Sequence, residues 1–159
     1  MNTQIRHGRS RAGRNTCGDF VCMVCHNFVS AEAALSGVQH RNHCPYCLSS
    51  RHLDLFKAGD RLSACKASMR PVALSLKKTC KKYAGENQGE VMLVHLCAGC
   101  GKISINRIAA DDDSENLRGI LEASYCLDNG LKSLIAIAGI AIITRGDHHL
   151  LQFQLFGYD

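Results

Sequence analysis

The 159-residue sequence contains no tryptophan, two prolines and few aromatic side chains (6%). So few rings argue against a base-stacking platform, and leave phosphate contact as the main way this chain would hold a nucleic acid. Long apolar runs are also scarce. The longest, Leu134 to Ile143, is followed by Thr144 and Arg145 and is about half of what a membrane-spanning helix needs. The opening stretch MNTQIRHGRSRAGR lacks the apolar core of a secretory signal, so a soluble cytoplasmic protein is expected, with no membrane partner. No His-Glu-x-x-His motif, nucleophile elbow or glycine-rich phosphate loop is present. The sequence therefore predicts no enzyme, no catalytic residue and no small-molecule substrate.

Cysteine, by contrast, is abundant, at ten residues. In a reducing compartment, paired cysteines read as metal ligands and not as disulfides. Three Cys-x-x-Cys pairs occur: Cys22/Cys25, Cys44/Cys47 and Cys97/Cys100. Two intervening residues let the chain turn tightly enough for both thiolates to reach one ion. The first two pairs stand 18 residues apart, the zinc-ribbon arrangement of a four-thiolate structural site. The third pair needs two more ligands. Cys65 is the first choice for one of them. For the other, His95 is preferred, because it shares a strand face with Cys97. His52 and Cys80 remain alternatives, and Cys17 and Cys126 read as bystander thiols. Two structural Zn2+ ions are expected.

Charge is unevenly placed. Residues 1–109 carry 16 Lys+Arg against 6 Asp+Glu, whereas residues 110–159 carry 3 against 8. A basic body suggests a polyanionic partner. Residues 1–16 read as a flexible arm in which Arg6, Arg9, Arg11 and Arg14 meet no acid. Lys77, Lys78, Lys81 and Lys82 form a second basic stretch, and Arg41, Arg61 and Arg107 complete the set of expected nucleic-acid contacts.

Three segments follow from this pattern: the arm (1–16), a zinc-binding body (17–110) and an extension (111–159). The fold class expected is small α+β, zinc-ribbon-type, with short β-hairpins around two zinc sites. Phe20-Val21-Cys22 and Val91 to Cys97 read as strands entering metal turns. Asp111 to Glu115 should start a helix with Leu117, Ile120, Leu121 and Ser124 or Tyr125 on one face. Asn129-Gly130 reads as a turn, and 134–156 as a hairpin.

The segment Arg41-Asn42-His43-Cys44-Pro45-Tyr46-Cys47-Leu48 resembles the signature of the RNHCP-domain family. The similarity continues through Phe20 to Cys25, Ser50 to Asp54, Gly59-Asp60-Arg61, Cys65, Met69-Arg70-Pro71, His95 to Gly101 and Asn106 to Ala109. It spans roughly residues 20–113. The resemblance implies a zinc-ribbon-like fold and a bound metal more than it implies a function. One departure stands out: Cys25 is followed by His26 where the family usually has glycine. Three functions compete. The first is association with structured RNA, above all rRNA in the ribosome; the second is a protein-interaction module using the apolar C-terminal segment; the third is a zinc enzyme.

Overall fold

A computed structural model describes residues 18–78, 89–147, 151 and 155. The architecture is small α+β, as expected, with two antiparallel sheets. A two-stranded ribbon pairs β1 (Phe20–Val21) with β2 (Phe28–Val29). The main sheet has the order β3-β4-β5-β6, formed by Ser50–Arg51, Ser68–Lys78, Gly89–Cys97 and Ile103–Arg107. Three α-helices are complete among the described residues: α1 (Ala33–Ser36), α2 (Ser114–Tyr125) and α3 (Asn129–Ile137).

The sheet is covered on both faces. Alternate residues of a strand point to opposite sides, and β5 uses both. Val91 and Leu93 join Leu74, Leu117 and Leu121 under α2. Val94 joins Val72, Ala73, Leu131 and Ile135 under α3. α2 begins as its sequence predicts: Asp113 caps it by accepting from the Asn116 N–H at 2.8 Å. Leu117, Leu121 and Ser124 are its buried residues. The Ser124 hydroxyl accepts from the Leu74 N–H at 2.8 Å, just past the register shift between Pro71 and Ala73.

The expected hairpin over 134–156 is not what forms. Asn129-Gly130 opens α3 instead of turning the chain, because Asp128 caps it by accepting from the Leu131 N–H at 2.9 Å. Leu131 and Ile135, four residues apart, then bury one helical face. Gly139, at φ +73°, ends the helix in the left-handed conformation common just past a C-cap. Beyond it, Ile142 makes only an isolated bridge to Ser75. Residues 145–147 form a short 3-10 turn. The remainder of the expected second arm lies outside the described residues, apart from Leu151 and Leu155, which pack on the α2 side of the core.

Candidate metal centres

Each Cys-x-x-Cys pair sits in the same tight turn. In the first, the Cys22 N–H donates to Asn27 O (2.9 Å) and the His26 N–H to Cys22 O (3.1 Å). In the second, Cys44 donates to Ser49 O (2.8 Å) and Leu48 to Cys44 O (2.9 Å). In the third, Cys97 donates to Lys102 O (2.9 Å) and Gly101 to Cys97 O (3.1 Å). The residue four after the first cysteine is left-handed in all three: His26 at φ 61°, Leu48 at 57° and Gly101 at 72°. A β-carbon is disfavoured there, so the family's glycine has a geometric reason and His26 adopts a strained conformation.

The first two turns face one another. Cys22, Cys25, Cys44 and Cys47 place their sulfurs within 4.8 Å of each other. Cys22 Sγ lies 3.6 Å from Cys47 Sγ, and Cys25 Sγ 3.5 Å from Cys44 Sγ. A tetrahedral ion with metal–sulfur bonds of about 2.3 Å requires sulfur separations of roughly 3.8 Å, so the set is close to ready for a metal. The Asn27 main-chain N–H draws the Cys25 thiol down to about 6, while burial pushes Cys44 and Cys47 up. Four thiolates this close repel each other unless a cation sits among them.

A second cluster closes at one end of the main sheet. His52 follows β3, Cys65 precedes β4, Cys97 ends β5 and Cys100 precedes β6. The strand register Ser50↔Met69 and Met69↔Cys97 brings these four ends together. Cys65 Sγ is 3.6 Å from Cys97 Sγ, and His52 Nδ1 is 3.3 Å from Cys100 Sγ. Gly99 makes room for the cluster, since a β-carbon there would lie 2.8 Å from Ala67 Cβ and 3.0 Å from the Cys65 sulfur. Burial, with the positive field of Lys102, lowers the His52 pKa. It therefore favours the neutral imidazole that a metal takes.

The second cluster holds His52 and not His95. His95 is fully buried, and both of its ring nitrogens are committed. Nε2 lies 2.7 Å from Leu48 O, a pure acceptor, so Nε2 carries the proton; Nδ1 then accepts from Asn106 Nδ2 at 3.0 Å. Burial lowers its pKa to about 4, consistent with that neutral ring. The shared strand face that suggested His95 is real, but its ring is turned to Leu48 O and Asn106, and the sulfurs gather around His52 instead. Cys80 and Cys17 lie outside the described residues. Cys126 is an exposed free thiol.

The expected nucleic-acid contacts separate sharply. Arg41 is buried, and its guanidinium meets Asp111 (2.8 Å) and Asp112 (3.3 Å). His43 joins it, with Nε2 2.9 Å from the Asp112 carboxylate. Asp112 also accepts from the Ala109 N–H at 2.8 Å. Arg41 therefore clamps the start of the C-terminal segment onto the second metal turn and is not placed to meet phosphate. Nothing in the sequence pairs residues 41 and 43 with 111 and 112, about 70 positions away. Arg61 is half-buried, beside Asp54 at 3.6 Å and the Arg41 carbonyl at 3.3 Å. Arg107 is exposed but paired with Glu90 at 2.8 Å. Lys77 is exposed at the end of β4. Arg6, Arg9, Arg11, Arg14, Lys81 and Lys82 lie outside the described residues, as does the Lys78 side chain.

Fold and site together define a small α+β domain that carries two preformed four-ligand clusters, one of four cysteines and one of three cysteines with a histidine, each able to hold a metal ion. A family model described as the RNHCP domain matches residues 17–118, well over half of the sequence, and the chain belongs to that family. Comparison with curated proteins and with solved structures finds no match. Among the described residues, no helix is long and apolar enough to cross a membrane.

Proposed function

We propose that this chain is a non-enzymatic zinc protein that docks on structured RNA, the ribosome first among its targets. Zinc suits the donor sets: thiolates with at most one imidazole, at near-tetrahedral spacing, are its usual structural ligands. With four protein ligands per ion no position is left for a water, so the metal would stiffen the fold and not react.

The RNA reading is carried by how the body's charges are used. Four of its described acids are spent on the fold. Asp19 accepts from the Ala31 N–H, Asp54 and Asp60 accept from the main chain of their own loop, and Glu90 pairs with Arg107. Several cations instead meet only carbonyls or stand exposed. Arg51 Nε donates to Lys66 O, Lys66 Nζ to Arg61 O, and Lys102 Nζ to the carbonyls of Asp54 and Leu55. Lys57, Arg70 and Lys77 are exposed. The result is a positive surface suited to phosphate.

The test is a salt titration of the zinc-loaded chain against ribosomes and naked rRNA. Affinity should fall steeply with salt. Removing residues 1–16, with their four arginines, should flatten the slope of log affinity against log salt by up to about 3 units. Absence of binding at low salt would exclude this reading. Attention would then move to a protein partner on the exposed Leu134 and Ile137 of α3.

A further inference from the structure

The segment joining β3 to β4 is built more firmly than a connection needs. Asp60 accepts from the main-chain N–H groups of Leu55 (2.9 Å), Phe56 (2.8 Å), Lys57 (3.0 Å) and Leu62 (3.1 Å). Asp54 accepts from Gly59 (2.9 Å) and Arg61 (3.1 Å). Gly59 is left-handed at φ +84°, and a β-carbon there would sit 2.8 Å from the His40 ring. Two carboxylates and one glycine thus latch the loop in one shape.

At its tip the loop presents Phe56, which is 84% exposed, with Leu62 and Leu55 exposed nearby. On a loop whose backbone is fixed in this way, three exposed apolar side chains are surface suited to a partner. Its surroundings are basic. Lys57 is adjacent in sequence, and Phe56, Lys57, Arg51 and Lys102 line one depression of about 170 Å³. Asp54 is the one acid lining that depression, against these three cations, so its net charge is positive. An apolar partner would desolvate these cations without return. A polyanion carrying planar rings satisfies both the ring and the charges.

We propose that Phe56 is a stacking anchor for one unpaired base of an RNA strand, with Lys57, Arg51 and Lys102 at the flanking phosphates. The proposal rests on the RNA reading above and narrows it to single-stranded segments: loops, bulges or ends whose bases are free to stack. It also adds one stacked base to the expectation that phosphate contact would dominate, because a single placed ring needs no platform.

The experiment uses full-length, zinc-loaded protein and two variants. Phe56→Trp installs the sole tryptophan of the chain. Its emission should be quenched on adding single-stranded oligo(A) and left unchanged by a blunt RNA duplex. Phe56→Ala should weaken oligo(A) binding roughly 5- to 150-fold, the loss expected for one stacked base. Duplex affinity, the salt slope and the zinc content should not change. Equal oligo(A) affinity for wild type and Phe56→Ala would overturn the stacking site while leaving the RNA reading intact. No binding of the wild type to oligo(A), duplex or ribosomes would overturn both. Quenching by poly-glutamate but not by oligo(A) would overturn the proposal in favour of an acidic protein partner.

Discussion

His26 and Leu48 occupy the same left-handed position in equivalent turns, yet they differ in what surrounds them. His26 is exposed, whereas Leu48 is fully buried in the core under α2. A non-glycine residue in this conformation costs about 1–2 kcal/mol. Only Leu48 offsets that cost, by burial worth about 2–3 kcal/mol. His26→Gly should therefore raise stability by up to about 1 kcal/mol, and Leu48→Gly should lower it by several; denaturant titration of the zinc-loaded proteins reads both. A second contrast at this scale separates the two histidines. With zinc in both clusters, as proposed, His52→Ala should reduce bound zinc from two ions per chain to one. His95→Ala should keep both ions while lowering the melting temperature, because it leaves the Leu48 carbonyl without its buried donor. Elemental analysis beside thermal melting distinguishes them, and zinc loss in the His95 variant alone would return the ligand to that residue. Gly99→Ala should resemble His52→Ala in zinc content through the clash of its β-carbon with Ala67 and the Cys65 sulfur.

At the scale of elements, α2 is fastened by polar contacts at its start as well as by its apolar face. The Asp113 N–H donates to Pro45 O at 2.9 Å, and Asn116 Nδ2 to Tyr46 O at 2.7 Å, both within the second metal turn. Beneath them lies the Arg41–Asp112–His43 cluster, in which the Asp112 side chain is fully buried. Removing one member of a buried charge pair usually costs about 3–5 kcal/mol, because the partner charge remains. Asp112→Asn should fall near the lower end, since Asp111 still faces Arg41. The loss should appear as early exchange of the α2 amides in hydrogen-exchange measurements, with zinc content preserved. A variant as stable as wild type would show that the apolar face alone docks the helix.

Across the whole molecule, the two clusters share a short strand. Cys47 and His52 lie at opposite ends of β3, five positions apart, and His95 links the sheet to the turn between them through Leu48 O. The clusters differ in shelter. Cys22 and Cys44 of the first are buried and its other two are partly covered, while Cys100 of the second is exposed and Cys65 partly so. A chelator reaches exposed ligands first, and metal binding is coupled to folding. Graded chelation should therefore release zinc in two phases. In the first, NMR signals of His52, Cys65, Cys97 and Cys100 should change while α2 stays docked on the Cys44–Cys47 turn. In the second, the fold should be lost. Simultaneous release of both ions would mean that the clusters act as one cooperative unit.

The sequence alone determined what depends on local spacing. Tight turns need two residues between thiols, so the three cysteine pairs and the first four-sulfur cluster were legible directly. The cap and periodicity of α2 were legible for the same reason. Tertiary structure decided what depends on which distant residues meet. His52 and His95 were both reasonable ligands until strand register placed one among the sulfurs and buried the other between Leu48 O and Asn106. Arg41 looked like a phosphate contact until the chain returned 70 residues later with Asp111 and Asp112. Leu134 to Ile143 was apolar throughout, so its periodicity carried no signal, and the sheet face under Leu131 and Ile135 made its first part helical. Ligand geometry at a turn and the face of a periodic helix are set within a few residues, whereas charge partners and the form of an all-apolar segment are set by residues distant in sequence, which no local pattern encodes.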